Sequence, residues 1–86
     1  IMTIGSGKGE VFMVIVPQDG KIAGKTVKDI AKSSKFPSQC VFLAVYNQDT
    51  EEFSIPKGQQ VINEGDQLFM IATSEDIKKA ADFLTS

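Results

Sequence analysis

Three short runs of this chain are apolar at almost every position: residues 11–16 (Val-Phe-Met-Val-Ile-Val), 40–46 (Cys-Val-Phe-Leu-Ala-Val-Tyr) and 68–72 (Leu-Phe-Met-Ile-Ala). Periodicity does not choose between helix and strand in such runs, but their length and their β-branched or aromatic content favour strands. In the second run, alternation places Val41, Leu43 and Val45 on one face and Phe42, Ala44 and Tyr46 on the other. A strand without polar alternation needs cover on both faces. That need constrains the fold more than any other feature, because a chain of 86 residues has room for a single core and buries roughly 63% of its extended surface.

The segments between the runs supply only two helices. Thr26-Val27-Lys28-Asp29 has the form of a capping box, with Val27, Ile30 and Ala31 following at helical spacing. This helix runs about two turns toward Ser33 and Ser34, and Pro37 forbids its continuation. A second helix is expected with Thr73 or Ser74 as its cap, Glu75 and Asp76 in its first turn, and Ile77, Ala80, Ala81 and Leu84 as its buried stripe. Between residues 47 and 66 the sequence gives a polar turn at Asn47-Gln48-Asp49-Thr50 and an outer strand over Glu52-Phe53-Ser54-Ile55. Turns at Ile55-Pro56-Lys57-Gly58 and Asn63-Glu64-Gly65-Asp66 then flank a very short strand at Val61 and Ile62. Gly24, Pro56, Gly58, Gly65 and Asp66 are the corner residues, and Asp66 is placed to bond backbone N–H groups of its own turn.

The resulting fold class is α/β (α+β): a small mixed or antiparallel sheet of four to five short strands with two helices, in the order β-α-β-β-β-β-α. Residues 1–10, glycine-rich and with no obvious element, are expected to be a flexible leader or linker remnant, and residues 85–86 a tail. A first residue other than methionine fits a piece of a longer chain. Two short helices cannot cover both faces of such a sheet. The uncovered face calls for a second copy of the chain or a neighbouring domain.

Composition removes several function classes. There is no histidine and a single cysteine, Cys40, so no zinc site and no Ser-His or Cys-His pair can be built. Cys40 lies within an apolar run and reads as a small hydrophobe, which is compatible with a cytoplasmic setting. Gly5-Ser6-Gly7-Lys8-Gly9 lacks the first glycine and the hydroxyl residue of a phosphate-binding loop and precedes a strand, not a helix. Asp49, Glu51, Glu52, Glu64 and Asp66 cluster around turns, with no sign of the burial that paired-carboxylate catalysis requires. Lys25, Lys28, Lys32 and Lys35 form a loose ladder beside the first helix. With a formal net charge of -2 the ladder reads as a solvated helix side, and no nucleic-acid contact is expected. No apolar stretch reaches the eighteen or more residues of a membrane span, so no insertion by this segment is expected. The remaining candidate site is the exit from the first helix, where Phe36-Pro37-Ser38-Gln39 could present backbone and side-chain groups to a ligand at a subunit boundary.

The runs Ile22-Ala23-Gly24-Lys25-Thr26-Val27-Lys28-Asp29-Ile30, Cys40-Val41-Phe42-Leu43-Ala44-Val45 and Ile55-Pro56-Lys57-Gly58 through Asn63-Glu64-Gly65-Asp66 to Ala72 resemble the TrkA C-terminal domain family, the C-terminal subdomain of RCK regulatory domains. The likeness spans about residues 11–84. It implies a non-catalytic cytoplasmic regulatory and dimerisation domain of a potassium or other cation transport protein, held at the inner face of the membrane through its parent or partner. It implies a homodimer that senses a small ligand at its interface. Two alternatives are a purely structural dimerisation module and the ligand-sensing domain of a transcription regulator whose DNA-binding part lies elsewhere. No cofactor is implied with certainty. Some members bind cyclic di-AMP and carry an Asp-Ile-Arg pattern after the first helix, followed by Asn-Ile; here Ala31-Lys32-Ser33 and Gln39-Cys40 stand in those places, and the arginine is absent. The candidate ligand-binding residues are therefore Ala31, Lys32, Lys35, Phe36, Pro37, Ser38 and Gln39.

Overall fold

A computed structural model describes residues 2–86. Its elements are β1 (Met2–Ile4), β2 (Gly9–Ile15), α1 (Val27–Lys32), β3 (Cys40–Asn47), β4 (Glu52–Ser54), β5 (Gln67–Thr73) and α2 (Ile77–Leu84). The strands form one sheet in the order β1-β2-β5-β3-β4, and every adjacent pair is antiparallel. The central strand is thus β5, the last in sequence, flanked by the two other apolar runs.

The glycine-rich lead differs from expectation. Met2–Ile4 pair with Val11, Glu10 and Gly9, and the hairpin between them turns through Gly5, Ser6 and Gly7, all at positive φ. Glycine at two of these three positions makes that turn accessible. Val61 also departs from expectation, making only an isolated bridge with Thr26 in place of a strand. The backbone there is occupied in closing α1. Val27 N–H donates to the Gln60 carbonyl at 2.9 Å and Lys28 N–H to the Gly58 carbonyl at 2.8 Å. Asp29 N–H donates to Thr26 Oγ1 at 3.1 Å, so the orphan donors of a six-residue helix are met from its cap and from the loop after Pro56. Only the threonine half of the expected capping box forms; no hydrogen bond returns from the Asp29 carboxylate to Thr26.

The cap of α2 is Asp76, and its side chain does not bond the helix. Thr73 and Ser74, the hydroxyl residues expected there, are used elsewhere. Thr73 lies in the ladder opposite Gly9, while Ser74 N–H donates to Lys8 O at 3.0 Å and its hydroxyl to Gly7 O. Ser74 therefore fastens the β1–β2 hairpin to the end of β5.

Both helices pack on one face of the sheet. Phe12, Val16, Leu68, Met70, Ala72, Cys40 and Val45 from the strands form one buried cluster with Ile30 of α1 and Ala80 and Leu84 of α2, closed below by Ile22 and Ile62 from the loops. In β3 the alternation read from sequence holds only to Phe42. Cys40 and Phe42 face Ala72 and Met70, then the register shifts, so that Ala44 pairs with Phe69 and Val45 with Leu68. Leu43 is the extra residue of a β-bulge, which turns Val45 inward and leaves Ala44 and Tyr46 on the other face.

That other face has no cover from the chain's own helices. Met13, Ile15, Val41 and Leu43 are exposed, as are Met2 and Ile4 on β1 and Phe53 on β4, with Val11, Phe69 and Ile71 half-buried between them. Phe53 pairs with Tyr46, so the apolar surface crosses all five strands. The expected single wet face of β4 is not kept: Phe53 is exposed alongside Glu52, as is Ile55 just after the strand, and Ser54 is half-buried.

Candidate functional site

The segment leaving α1 is held from both ends. Ser33 N–H donates to Ile30 O at 3.1 Å and Phe36 N–H to Ser33 O at 3.0 Å, while the Ser33 hydroxyl accepts from Lys35 N–H at 3.2 Å. The Phe36 ring stacks on Phe42 with centroids 5.8 Å apart and planes 7° from parallel, an arrangement that adds to its burial energy. Pro37, next in the chain, is buried. At the far end, Gln39 O accepts from Thr73 N–H at 3.1 Å, and Gln39 N–H donates to Asp76 Oδ2 at 3.3 Å. The Asp76 carboxylate, left out of its helix cap, thereby ties the loop to the start of α2.

The candidate residues do not converge on one cavity. Ala31 and Phe36 line an apolar depression of about 250 Å³ with Val27, Val41, Phe42 and Pro56. Ser38 and Gln39 line a second of about 260 Å³ along the strand ends, with Gly9, Ile71 and Thr73, and this runs on toward Gly7, Lys8 and Ser74. Lys35 turns to a groove over α2, beside Lys21, Lys78, Lys79 and Phe83. Lys32 is exposed and lines none of these depressions. The loop is a packed connector with exposed polar tips, and Phe36 plugs it.

Val41 belongs to both of the first two depressions and is 58% exposed. Sequence reasoning assigned it to a covered face and missed it; the signal available was the surplus of apolar strand surface over helix. Cys40 also lines both, but burial, reinforced by the nearby Asp76 carboxylate, pushes its thiol up to about 11. It stays protonated at neutral pH and is no nucleophile. The first depression offers apolar wall alone, suited to packing a flat ring, and the second adds the hydroxyl and amide groups of Ser38, Thr73 and Gln39, suited to bonding a polar edge. Neither is lined by a cation.

The carboxylate cluster holds one surprise. Asp66 is 4% exposed, against the expectation that none of these groups is buried. Its Oδ1 accepts from Asn47 Nδ2 at 2.9 Å and its Oδ2 from Asn63 N–H at 2.8 Å, the bond within its own turn that the sequence suggested. Asn47 Oδ1 in turn accepts from Asp49 and Thr50 N–H. One carboxylate thus pins two turns, with Gly65 at φ 84° preceding it. Gly24, at φ 85°, donates its N–H to Ile62 O at 2.7 Å. Among the described residues no group of three or more His, Cys, Asp or Glu side chains is arranged to hold a metal ion, and no helix is long and apolar enough to cross a membrane.

Comparison with known proteins bears on this geometry directly. No curated protein matches the chain closely enough to count as a relative. Among solved structures it is similar to the RCK_C domain dimer of S. agalactiae BusR in complex with c-di-AMP, with a TM-score of 0.70 and 17% identity over 86% of this chain and 93% of that one. At that identity the likeness is one of fold: an antiparallel sheet with two helices. The family model of the TrkA-C domain matches residues 11–85. The chain belongs to the TrkA-C domain family, whose members are non-catalytic regulatory modules.

Proposed function

We propose that this domain is a regulatory module that packs the open face of its sheet against a second copy of itself and senses a small ligand at the boundary between the copies. The observation that carries the reading is the apolar face running from Met2 to Phe53, which the chain's own helices leave uncovered. A continuous exposed apolar surface of this kind marks an association site. The candidate depressions open beside it, because Val41 lies both on the open face and in their walls. A ligand seated there touches the partner copy as well. It controls the assembly only by binding one arrangement of the two copies more tightly than another.

Cyclic di-AMP is the ligand in the BusR domain dimer, and it is the first to test here. Val41, Phe42 and Pro56 of the first depression give an adenine ring an apolar wall, and the second depression, which shares Val41 with it, offers the Gln39 amide to another part of the ligand. The phosphates lack an arginine, and lysine supplies a point charge without the planar donor fork. The regulated parent is a cation transport protein, with the domain at the cytoplasmic side of the membrane, or a transcription regulator whose DNA-binding part lies elsewhere. The likeness to BusR is a likeness of the domain and supports ligand sensing more than it supports a transport parent.

Titration calorimetry with cyclic di-AMP, alongside ATP and a divalent cation, tests the proposal. Saturable binding at about one dinucleotide per dimer is expected, the stoichiometry of a ligand shared across a two-fold interface. No heat with the dinucleotide, in a sample shown to be a folded dimer, would leave a structural dimerisation module in its place.

A further inference from the structure

The residues that lead from β5 into α2 bond two parts of the chain that are otherwise separate. Asp76 N–H donates to Thr73 O at 2.9 Å, which closes residues 73–76 into one turn. Within it Ser74 holds the N-terminal hairpin, its N–H donating to Lys8 O at 3.0 Å and its hydroxyl to Gly7 O. The flanking residues grip the exit loop of α1 at Gln39, whose carbonyl accepts from Thr73 N–H at 3.1 Å and whose N–H donates to Asp76 Oδ2 at 3.3 Å. Hairpin, turn and loop wall one concavity of about 660 Å³, in which Gly7 and Lys8 meet Ser38 and Gln39. The hairpin is the least secured part of the sheet: β1 has three residues, all exposed, and pairs with β2 alone. A two-stranded ribbon is marginal by itself in water. Its docked and released states therefore lie close in free energy, and the two Ser74 bonds bias them.

We propose that residues 73–76 form a joint that couples the exit loop of α1 to the N-terminal hairpin: a loop held at Gln39 keeps Ser74 in place and the hairpin docked, and a loop drawn away from Asp76 releases it. The warrant is a two-state element, the hairpin, whose equilibrium is biased through one turn that the loop also holds. Such coupling runs in both directions. The hairpin carries Met2 and Ile4 of the open face, so its release narrows the surface offered to a second copy. That consequence rests on the function proposed above, whereas the joint lies within one copy and is tested without ligand.

Amide hydrogen exchange of the full chain, read residue by residue by NMR with all variants at the same protein concentration, tests the joint. Asp76→Ala removes the acceptor of Gln39 N–H and no hydrogen bond of the hairpin. It should nevertheless speed exchange over residues 2–8 by about fivefold, the equivalent of one hydrogen bond, and leave Leu68 and Met70 of the core unchanged. Ser74→Ala should speed the hairpin by a similar factor and should also speed Gln39, which Ser74 does not bond. Glu75→Ala, an exposed carboxylate of the same turn, should alter either region by less than about twofold. Acceleration in Asp76→Ala that stays within residues 38–40 and the start of α2 would overturn the proposal. Equal acceleration of hairpin and core would also overturn it, because that is general destabilisation and not release of the hairpin. So would a Ser74→Ala chain in which the hairpin is freed and Gln39 is unaffected.

Discussion

The two faces of the sheet are built from neighbouring residues of the same strands, yet they meet opposite fates. On one, Phe12, Leu68, Met70 and Ala72 are sealed under α1 and α2; on the other, Met13, Phe69 and Ile71, one residue away in sequence, face outward. Hydrophobicity does not distinguish them. The difference is the supply of cover, because fourteen helical residues in two short segments reach across one face only. The first face stabilises the monomer, and the second is left to whatever associates with it.

Adjacent positions on β2 test this contrast most strongly. Phe12→Ala should lower unfolding free energy by about 3–5 kcal/mol, the usual loss for a buried aromatic ring. Met13→Ala, measured at a concentration where copies are separate, should change it by no more than about 0.5 kcal/mol. Urea denaturation reads both, and equal losses would mean that the two faces are equally buried. Asp66→Asn comes next. It weakens the acceptor that joins the two turns at Asn47 and Asn63, at a cost of about 1–3 kcal/mol by the same assay. Thr26→Ala removes the side-chain cap of α1 and should cost about 1 kcal/mol. A smaller value would show that the carbonyls of Gln60 and Gly58 hold the helix start without it.

The effect that vanishes at neutral pH belongs to Cys40. Burial, with the Asp76 carboxylate nearby, pushes its folded thiol up to about 11 from an ordinary value near 9, because both disfavour the thiolate. Between these values the unfolded chain releases a proton that the folded chain keeps, so stability should hold below about pH 9 and decline as pH rises toward 11. Cys40→Ser should remove that decline. Denaturation midpoints of both proteins at pH 8 and pH 10.5 check it.

Much of this architecture was legible in the residues. Apolar runs marked β2, β3 and β5, and the Thr26 cap, the breaker Pro37 and the Gly65-Asp66 corner marked the connections. Three features were not. The hairpin at Gly5–Lys8 has no apolar signal of its own, and it is held by tertiary bonds from Ser74 that local sequence does not announce. The bulge at Leu43 is invisible to a period-two reading, which therefore put Val45 on the wrong face. The cap of α2 was misplaced because Thr73 and Ser74 serve the sheet and hairpin first. The candidate loop was correctly placed between helix and central sheet, but its residues were scattered among several depressions by the Phe36–Phe42 stack and the Asp76 clamp, which are long-range contacts.

The open face carries the account, and sedimentation equilibrium of the chain beside Val41→Glu tests it most directly. Val41 is exposed in the single copy, so the substitution should leave the far-ultraviolet spectrum unchanged. The account predicts a dimer persisting at low micromolar concentration for the natural chain and a folded monomer for the variant, because a charge buried between apolar faces is strongly unfavourable. A natural chain that remains monomeric at high concentration, or a variant that dimerises as well as the natural chain, would contradict it.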